Sequence, residues 1–279
     1  MPVTGTVSFI GGGKITEILL SNMTAKSVVD PSRVVVSDPS EARLAELKAR
    51  FGVGTASSNR EAAEKGDFVF MCVRSEIAPT IPQEIGDLDF SGKTVVTISA
   101  GIPMKLYQQG LKNAAVVRVL PNPPSKIGYG AIAISFDRAV GRKAREDVME
   151  IFSSMGKCFD LPEDKIDILT STTCPAPVFA FCSAIVQATV LLGIDHATSE
   201  DLAFHTIQGC LKEWERNPGQ IGKLLAETST PGGISVEQLF SLDKGSFSGV
   251  VKQTYVDGWV KSRAFGEKIL KSLEKYRPP

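Results

Sequence analysis

Three consecutive glycines follow a short apolar run near the start of the chain and precede a segment with helical periodicity. Gly11 and Gly13 match the first two glycines of a G-x-G-x-x-G turn, and Thr16 stands at the third position. In such a turn the first glycine makes the bend and the second lets backbone approach a diphosphate. The helix N-terminus, here Lys14 and Ile15, adds unpaired N–H groups and partial positive charge. The stretch predicts a dinucleotide site, although a plain strand-to-helix turn also uses glycines.

Asp38 follows the second predicted strand, at about the spacing of the acid that hydrogen-bonds the adenosine ribose in dinucleotide-binding folds. A carboxylate at this place repels a 2′-phosphate, so NADH is favoured over NADPH. Arg33 and Arg43 are close enough in sequence to soften that preference. The alternative interpretation of Asp38 is a helix cap or a turn residue before Pro39.

Strand and helix signals alternate over the first 160 residues or so. The near-continuous apolar runs at 68–73 and 93–101 are typical of strands covered on both faces, and 40–52 has the pattern of an amphipathic helix. Repeated β-α-β units with short connections indicate a parallel, doubly wound sheet of the Rossmann type. We therefore predict a dinucleotide-binding Rossmann domain over residues 1–161.

Beyond Leu161 and Pro162 strand signals vanish, and long helices are predicted over 175–194, 198–216 and 248–275. Residues 162–279 are predicted to form an all-helical domain for substrate binding and dimerisation. The segment 175–194 carries no charge and is long enough to span a bilayer. Because it contains polar side chains and begins with two prolines, a helix buried in a core or a subunit interface is the preferred interpretation.

Charge and cysteine usage limit the class of protein. Lys plus Arg and Asp plus Glu both number 31, so no nucleic-acid partner and no anionic membrane surface is expected. The five cysteines are scattered without CxxC spacing, which predicts reduced thiols, a cytoplasmic location and no metal site. The first residues also lack the pattern of a signal peptide.

Six stretches, in order along the chain, resemble the pyrroline-5-carboxylate reductases: FIGGGKI (9–15), CVRSEI (72–77), TISAGIP (97–103), VVRVLPNPP (116–124), TIQGC (206–210) and STPGGISVEQL (229–239). The resemblance implies a cytoplasmic enzyme of proline biosynthesis that reduces a small cyclic imine, pyrroline-5-carboxylate, with NADH or NADPH. It also implies a helical domain that exchanges contacts between two subunits, and hence a homodimer or higher homo-oligomer. The implied cofactor contacts beyond the glycine turn and Asp38 are Val73, Arg74, Ala100, Gly101 and Asn122.

Hydride transfer asks mainly that protein groups orient cofactor and imine, because the nicotinamide carries the chemistry. The resemblance places the substrate carboxylate on the backbone of Gly232 and Gly233, next to Pro231 and Ser235, where oriented amides can form an anion-binding nest. An ordinary helix-to-helix turn is the alternative.

Two hydroxyls, those of Ser235 and Thr173, are candidates near the reacting imine, with a helix N-cap as the alternative for Thr173. Asn122 is a candidate for the nicotinamide carboxamide, or else a turn-forming residue between two prolines.

The chain departs from the family at residues 172–177, which read Thr-Thr-Cys-Pro-Ala-Pro where the family has Gly-Ser-Gly-Pro-Ala-Tyr. Thr173 keeps a hydroxyl, but two glycines and the tyrosine are lost. The side chains of threonine and cysteine would crowd backbone that otherwise comes close to substrate. Three hypotheses follow: a proline-pathway enzyme with an altered pocket, a reductase of another imine or keto compound, and a dinucleotide-binding regulatory protein without catalysis.

Overall fold

A computed structural model describes residues 3–274. The described chain contains an eight-stranded sheet with the strand order β3-β2-β1-β4-β5-β6-β7-β8. The strands are β1 (Val7–Ile10), β2 (Val34–Ser37), β3 (Gly54–Ala56), β4 (Phe68–Met71), β5 (Thr94–Thr97), β6 (Ala115–Leu120), β7 (Gly130–Phe136) and β8 (Gly156–Asp160). The predicted α/β fold with a Rossmann-type sheet and a C-terminal helical region is confirmed.

Helices connect the strands and make up the rest of the described chain. They are α1 (Lys14–Ala25), α2 (Glu41–Phe51), α3 (Asn59–Lys65), α4 (Ile81–Ile85), α5 (Met104–Gly110), α6 (Arg142–Ser153), α7 (Glu163–Thr172), α8 (Ala176–Leu191), α9 (His196–Arg216), α10 (Ile221–Glu227), α11 (Ile234–Lys244) and α12 (Phe247–Glu274).

The chain forms two compact units. The first runs to Cys174 and includes the chain from Gly258 onward, and the second is Pro175–Asp257. The first unit therefore contains the whole sheet, and the second is helical. The functional division at residues 161 and 162 remains a prediction.

The sheet is parallel at every pairing except one. Strand β7 runs antiparallel to β6, whereas β7 and β8 are again parallel. Only the short 3-10 turn Pro123–Ile127 lies between β6 and β7, and a parallel return needs a crossover of a dozen or more residues. The sequence also gave little sign of β3 and β8, because the first is very short and both begin with glycine.

Apolar side chains pack on both faces of the central strands. On one face the ring centroid of Phe70 lies 4.9 Å from that of Phe9 and 5.9 Å from that of Phe152. On the other face Ile10, Phe90 and Tyr107 are fully buried in a second cluster. All four residues of β1 and of β4 are buried. The loops that leave these two strands thus start from fixed backbone, which is the requirement for a precise site.

Helix α8 departs from one part of the sequence interpretation. It has no charged residue, as expected, yet none of its residues is buried within the single chain. The stretch Glu163–Leu191 is long and apolar enough, by length and composition alone, to cross a membrane. The structure therefore does not bury α8 in a core of the same chain, which was one of the two preferred locations.

We expect Gly156→Ala to destabilise the fold by about 2 kcal/mol, because the new methyl group would overlap the backbone of Gly130 on the paired strand. Gly156 also has a φ of +150°, which side chains rarely adopt. The matched control is Gly141→Ala, where the methyl group meets no atom within 4 Å. Equal urea midpoints for the two variants would contradict this account.

Candidate active site

A cavity of about 590 Å³ opens at the carboxyl ends of β1, β2 and β4. The chain leaves β1 toward β2 on one side, and it later returns to β4 on the other side of β1. The loops therefore part at this place and leave a crevice, which is where such folds bind ligands. Five of the predicted cofactor residues line the cavity: Gly11, Gly13, Asp38, Val73 and Arg74.

The first and third glycines of the turn, Gly11 and Gly13, have different surroundings. Gly11 has a φ of +102°, and a β-carbon there would come within 2.7 Å of the carbonyl oxygen of Cys72. The fold itself therefore requires glycine at this position. A β-carbon on Gly13 would meet no protein atom within 4 Å, so nothing in the described chain explains a glycine there. Its empty side leaves room for a ligand to approach the backbone.

Asp38 stands at the end of β2 and already binds protein backbone with both carboxylate oxygens. Oδ2 accepts the N–H of Gly12 at 2.8 Å, and Oδ1 accepts the N–H of Ser40 at 2.9 Å. The second bond is the turn role that the sequence left as the alternative. The first ties Asp38 to the glycine turn, so its carboxylate shapes the cavity whether or not it also meets a ribose.

Thr16, at the third position of the glycine motif, is fully buried. Its hydroxyl donates to the carbonyl oxygen of Gly11 at 2.5 Å. The β-branched residue is therefore accommodated under the turn, where a smaller residue is usual, and the hydroxyl gains a backbone partner.

Helices α1 and α2 are joined beside the turn by a group of ions centred on Glu17. Its carboxylate lies 2.9 Å from Lys14 Nζ, 2.9 Å from Arg43 Nη2 and 2.8 Å from Arg50 Nη1. Hydrogen bonds from Lys14, then from Arg43 and Arg50, lower the pKa of Glu17 to about 2. The Nε of Arg43 donates to the carbonyl oxygen of Gly12 at 2.7 Å. Sequence spacing gave no sign of this link between an ion pair and the glycine turn.

The loops after β4 and β5 are joined by two hydroxyls that the sequence interpretation missed. Ser75 Oγ donates to the carbonyl oxygen of Ala100 at 2.8 Å, and Ser99 Oγ donates to that of Val73 at 2.9 Å. Gly101, which follows Ala100 in the chain, has a φ of +72°. The predicted cofactor residues of both loops thus belong to one hydrogen-bonded unit, although Ala100 and Gly101 do not line the cavity.

Asn122 holds three elements together after the end of β6. Its Nδ2 donates to the carbonyl oxygen of Thr173 at 3.1 Å, and its Oδ1 accepts the N–H of Ala131 at 2.9 Å. Both polar atoms of the amide are therefore used within the protein. This favours the structural alternative for Asn122 over a contact with the nicotinamide carboxamide.

Thr173 is the C-cap of helix α7, directly after its last residue, and its hydroxyl donates to the carbonyl oxygen of Leu169 at 2.6 Å. The helix N-cap interpretation is wrong, because the residue before α8 is Pro175 and Thr173 instead follows the last residue of the preceding helix.

Lys14 and Ile15 begin α1 directly after the glycine turn, as predicted from the sequence.

The Pro231–Gly233 turn lies in the second unit, before α11. Gly232 has a φ of +72°. The N–H of Gly233 donates to the carbonyl oxygen of Thr230 at 2.9 Å, so this amide is not free for an anion, contrary to the sequence interpretation. Ser235 is in the first turn of α11, and its hydroxyl makes no hydrogen bond to any residue within 3–274.

Comparison with known proteins bears on the identity of this site. Residues 6–101 match a family model described as NADP oxidoreductase coenzyme F420-dependent, and residues 163–264 match pyrroline-5-carboxylate reductase dimerisation. The pyrroline-5-carboxylate reductase of Corynebacterium melassecola is 31% identical over 250 residues, which cover 88% of this chain and 92% of that relative. The chain belongs to the pyrroline-5-carboxylate reductase family.

Other members of the pyrroline-5-carboxylate reductase family agree in sequence and fold. The enzyme of Synechocystis is 27% identical, with 94% of this chain and 98% of that protein covered. A crystal structure of Plasmodium falciparum pyrroline carboxylate reductase with NADP bound has a TM-score of 0.81 and 25% identity, and it covers 95% of this chain and 100% of that one.

Among the described residues, 3–274, no three His, Cys, Asp or Glu side chains are grouped so that they could hold a metal ion.

We expect the ion pairs of Glu17 to make stability depend on pH in the acid range. The pKa of Glu17 is lower in the folded protein than its ordinary value of 4.5, so its contribution is complete above about pH 4.5. That contribution is lost as the pH falls toward 2. In urea melts, the difference between wild type and Glu17→Gln should be largest near pH 6 and shrink steadily below pH 4.5. A difference that stays constant down to pH 2 would contradict the assignment.

Proposed function

We propose that this chain reduces pyrroline-5-carboxylate to proline with NADH or NADPH. The observation that carries the proposal is the crevice beside Gly13, where protein atoms leave one side of the backbone open at the switch point of the sheet. Membership of the reductase family supplies the substrate class. The reduced nicotinamide supplies a hydride to the imine carbon when it is bound.

The first unit would bind and orient the cofactor. The N–H groups of Gly13, Lys14 and Ile15, at the positive end of α1, would hold the diphosphate. Val73 and Arg74 flank the crevice on the β4 side. The bonds from Ser75 to Ala100 and from Ser99 to Val73 tie that wall to the loop that contains Ala100 and Gly101.

The turn before α11 would hold the substrate carboxylate. Gly232 offers a backbone amide, Pro231 fixes the entry to the turn, and Ser235 offers its hydroxyl. Because Ser235 has no hydrogen-bond partner in the described chain, we assign it, rather than Thr173, the contact with the reacting imine. The Thr173 hydroxyl is already committed to Leu169 and would first have to turn away from it.

A different imine or a keto compound remains the second candidate substrate, and loss of catalysis remains the third hypothesis. Both are favoured by the same observation, the replacement of two glycines and a tyrosine at residues 172–177. That change alters the volume near Thr173, and it leaves the crevice beside the glycine turn untouched.

We further propose that the chain acts as a homodimer or a higher homo-oligomer through its second unit, in the cytoplasm. Leu191 and Leu192 are each 86% exposed at the end of α8, and Phe179 is exposed at its start. Soluble monomers rarely expose a continuous apolar surface of this kind. Residues 163–264, which include α8, match a dimerisation model, and this supports a second copy as the cover. All five cysteines are free, which suits a reducing compartment.

In steady-state assays the wild-type protein should turn over pyrroline-5-carboxylate with both nicotinamides, and NADH should be the better cofactor because of Asp38. Loss of the reduced nicotinamide absorbance and formation of proline are the measurements. Turnover of another cyclic imine with a higher kcat/KM would favour the second candidate. Binding of NADH without turnover across a panel of imines would favour the regulatory protein.

The cofactor preference should respond to Asp38→Asn. The amide removes the negative charge and keeps one acceptor oxygen for the N–H of Gly12, whereas its nitrogen cannot accept the N–H of Ser40, so the bond to the glycine turn is retained and the bond to Ser40 is lost. We expect the ratio of kcat/KM for NADH to that for NADPH to fall roughly tenfold. An unchanged ratio would show that Asp38 serves the turn alone.

Light scattering should give at least twice the mass of the chain for wild type, and Leu191→Glu should shift the protein toward the monomer. The control is Phe159→Glu, which places the same charge on an exposed apolar side chain of β8 in the first unit. A monomeric wild type that partitions into lipid vesicles would instead assign α8 to a membrane.

A further inference from the structure

The first peptide of the glycine turn, between Gly11 and Gly12, is held at both ends. Its carbonyl oxygen accepts the hydroxyl of Thr16, and its N–H donates to Asp38 Oδ2. In a trans peptide the C=O and N–H point in opposite directions. Two contacts on opposite sides therefore fix the rotation of this peptide plane.

The second peptide, between Gly12 and Gly13, is held at one end only. Its carbonyl oxygen accepts Arg43 Nε at 2.7 Å. The N–H of Gly13, on the opposite side of the same plane, makes no backbone hydrogen bond within residues 3–274. Gly13 lines the cavity, so this donor belongs to a residue of the cavity wall.

Arg43 is itself fixed by two further contacts. Nη2 bonds to Glu17 at 2.9 Å and Nη1 to Glu46 at 2.6 Å, so every nitrogen of the guanidinium has a partner. These contacts raise the pKa of Arg43, with Glu46 as the larger cause and Glu17 next. A guanidinium committed in this way is a support for the turn and is a poor ligand for a 2′-phosphate.

We propose that Thr16 and Arg43 are positioning residues that, together with Asp38, set the two glycine peptides so that the N–H of Gly13 faces the cofactor diphosphate. This inference rests on the proposed function, since it concerns the same site. Thr16 stands where the motif usually has a small residue, and its hydroxyl donates a hydrogen bond to the carbonyl oxygen of Gly11. Arg43 acts through the carbonyl of Gly12 and touches neither cofactor nor substrate.

The decisive comparison is Thr16→Val against Thr16→Ser. Valine keeps the shape and loses the donor, whereas serine keeps the donor and loses a methyl group. With Thr16→Val we expect the Kd for NADH and for ADP-ribose, which shares the diphosphate, to rise by the same factor, about fivefold. Thr16→Ser should restore both values to within about twofold of wild type, and kcat and the KM for the imine should stay unchanged in both variants.

The matched control is Ser154→Ala. It removes another buried hydroxyl that donates to a backbone carbonyl, that of Ile151 at 2.6 Å, away from the cavity. We expect it to lower the melting temperature as Thr16→Val does and to leave the NADH Kd unchanged. If Ser154→Ala and Thr16→Val weaken NADH binding equally, the effect is general destabilisation and the proposal is wrong.

Arg43→Met tests the second contact, and it stands even if Thr16→Val fails to fold, because Arg43 is only partly buried, whereas Thr16 is fully buried. We expect about a fivefold rise in the Kd of NADH and ADP-ribose. Arg142→Met, which breaks an exposed ion pair with Glu146 on α6, should change neither. Unchanged Kd values in Arg43→Met would overturn the positioning role. A wild type that binds no dinucleotide would overturn the proposed function as well.

Discussion

A strand that ends in the middle of a sheet leaves backbone groups that must find partners away from water, and the end of β1 meets this constraint with side chains from three elements. Thr16 comes from α1, Asp38 from the end of β2 and Arg43 from α2. These hydrogen bonds occupy the carbonyl of Gly11 and both polar groups of Gly12, and they therefore determine that the N–H of Gly13 is the donor without a partner among residues 3–274. The N–H of Gly13, for which residues 3–274 provide no partner, is thus a product of the folding requirement, and Gly13 lines the cavity.

Sequence patterns predicted the α/β class, the glycine turn and the helical second region because each depends on local periodicity or on a short motif. They did not predict the partners of Asn122, which bonds to Ala131, 9 residues away, and to Thr173, 51 residues away. The Arg43 contact with Gly12 was missed for the same reason: it depends on how α2 packs beside α1. The position of Asp38 was predictable, whereas its bonds to Gly12 and Ser40 were not.

The apolar character of α8 was plain in the sequence, and its location was not. Hydrophobicity measures how strongly a surface is driven out of water, and it does not say what covers that surface. A buried core helix, an interface helix and a membrane helix share the same composition. Within the single chain α8 has no buried residue, and the match of residues 163–264 to a dimerisation model favours the interface over the other two locations.

The altered entrance at residues 172–177 concerns the substrate more than the fold. Thr172 and Cys174 stand where the family has glycine. Thr172 is the last residue of α7, and neither residue is among the described ones with positive φ, so neither position needs the freedom of a glycine. The turn closes normally, with the N–H of Thr173 bonded to Leu169 and that of Cys174 to Ser171. Replacing two glycines here therefore costs no backbone strain. What it adds is side-chain volume beside the Thr173 hydroxyl, which already has a backbone partner in Leu169.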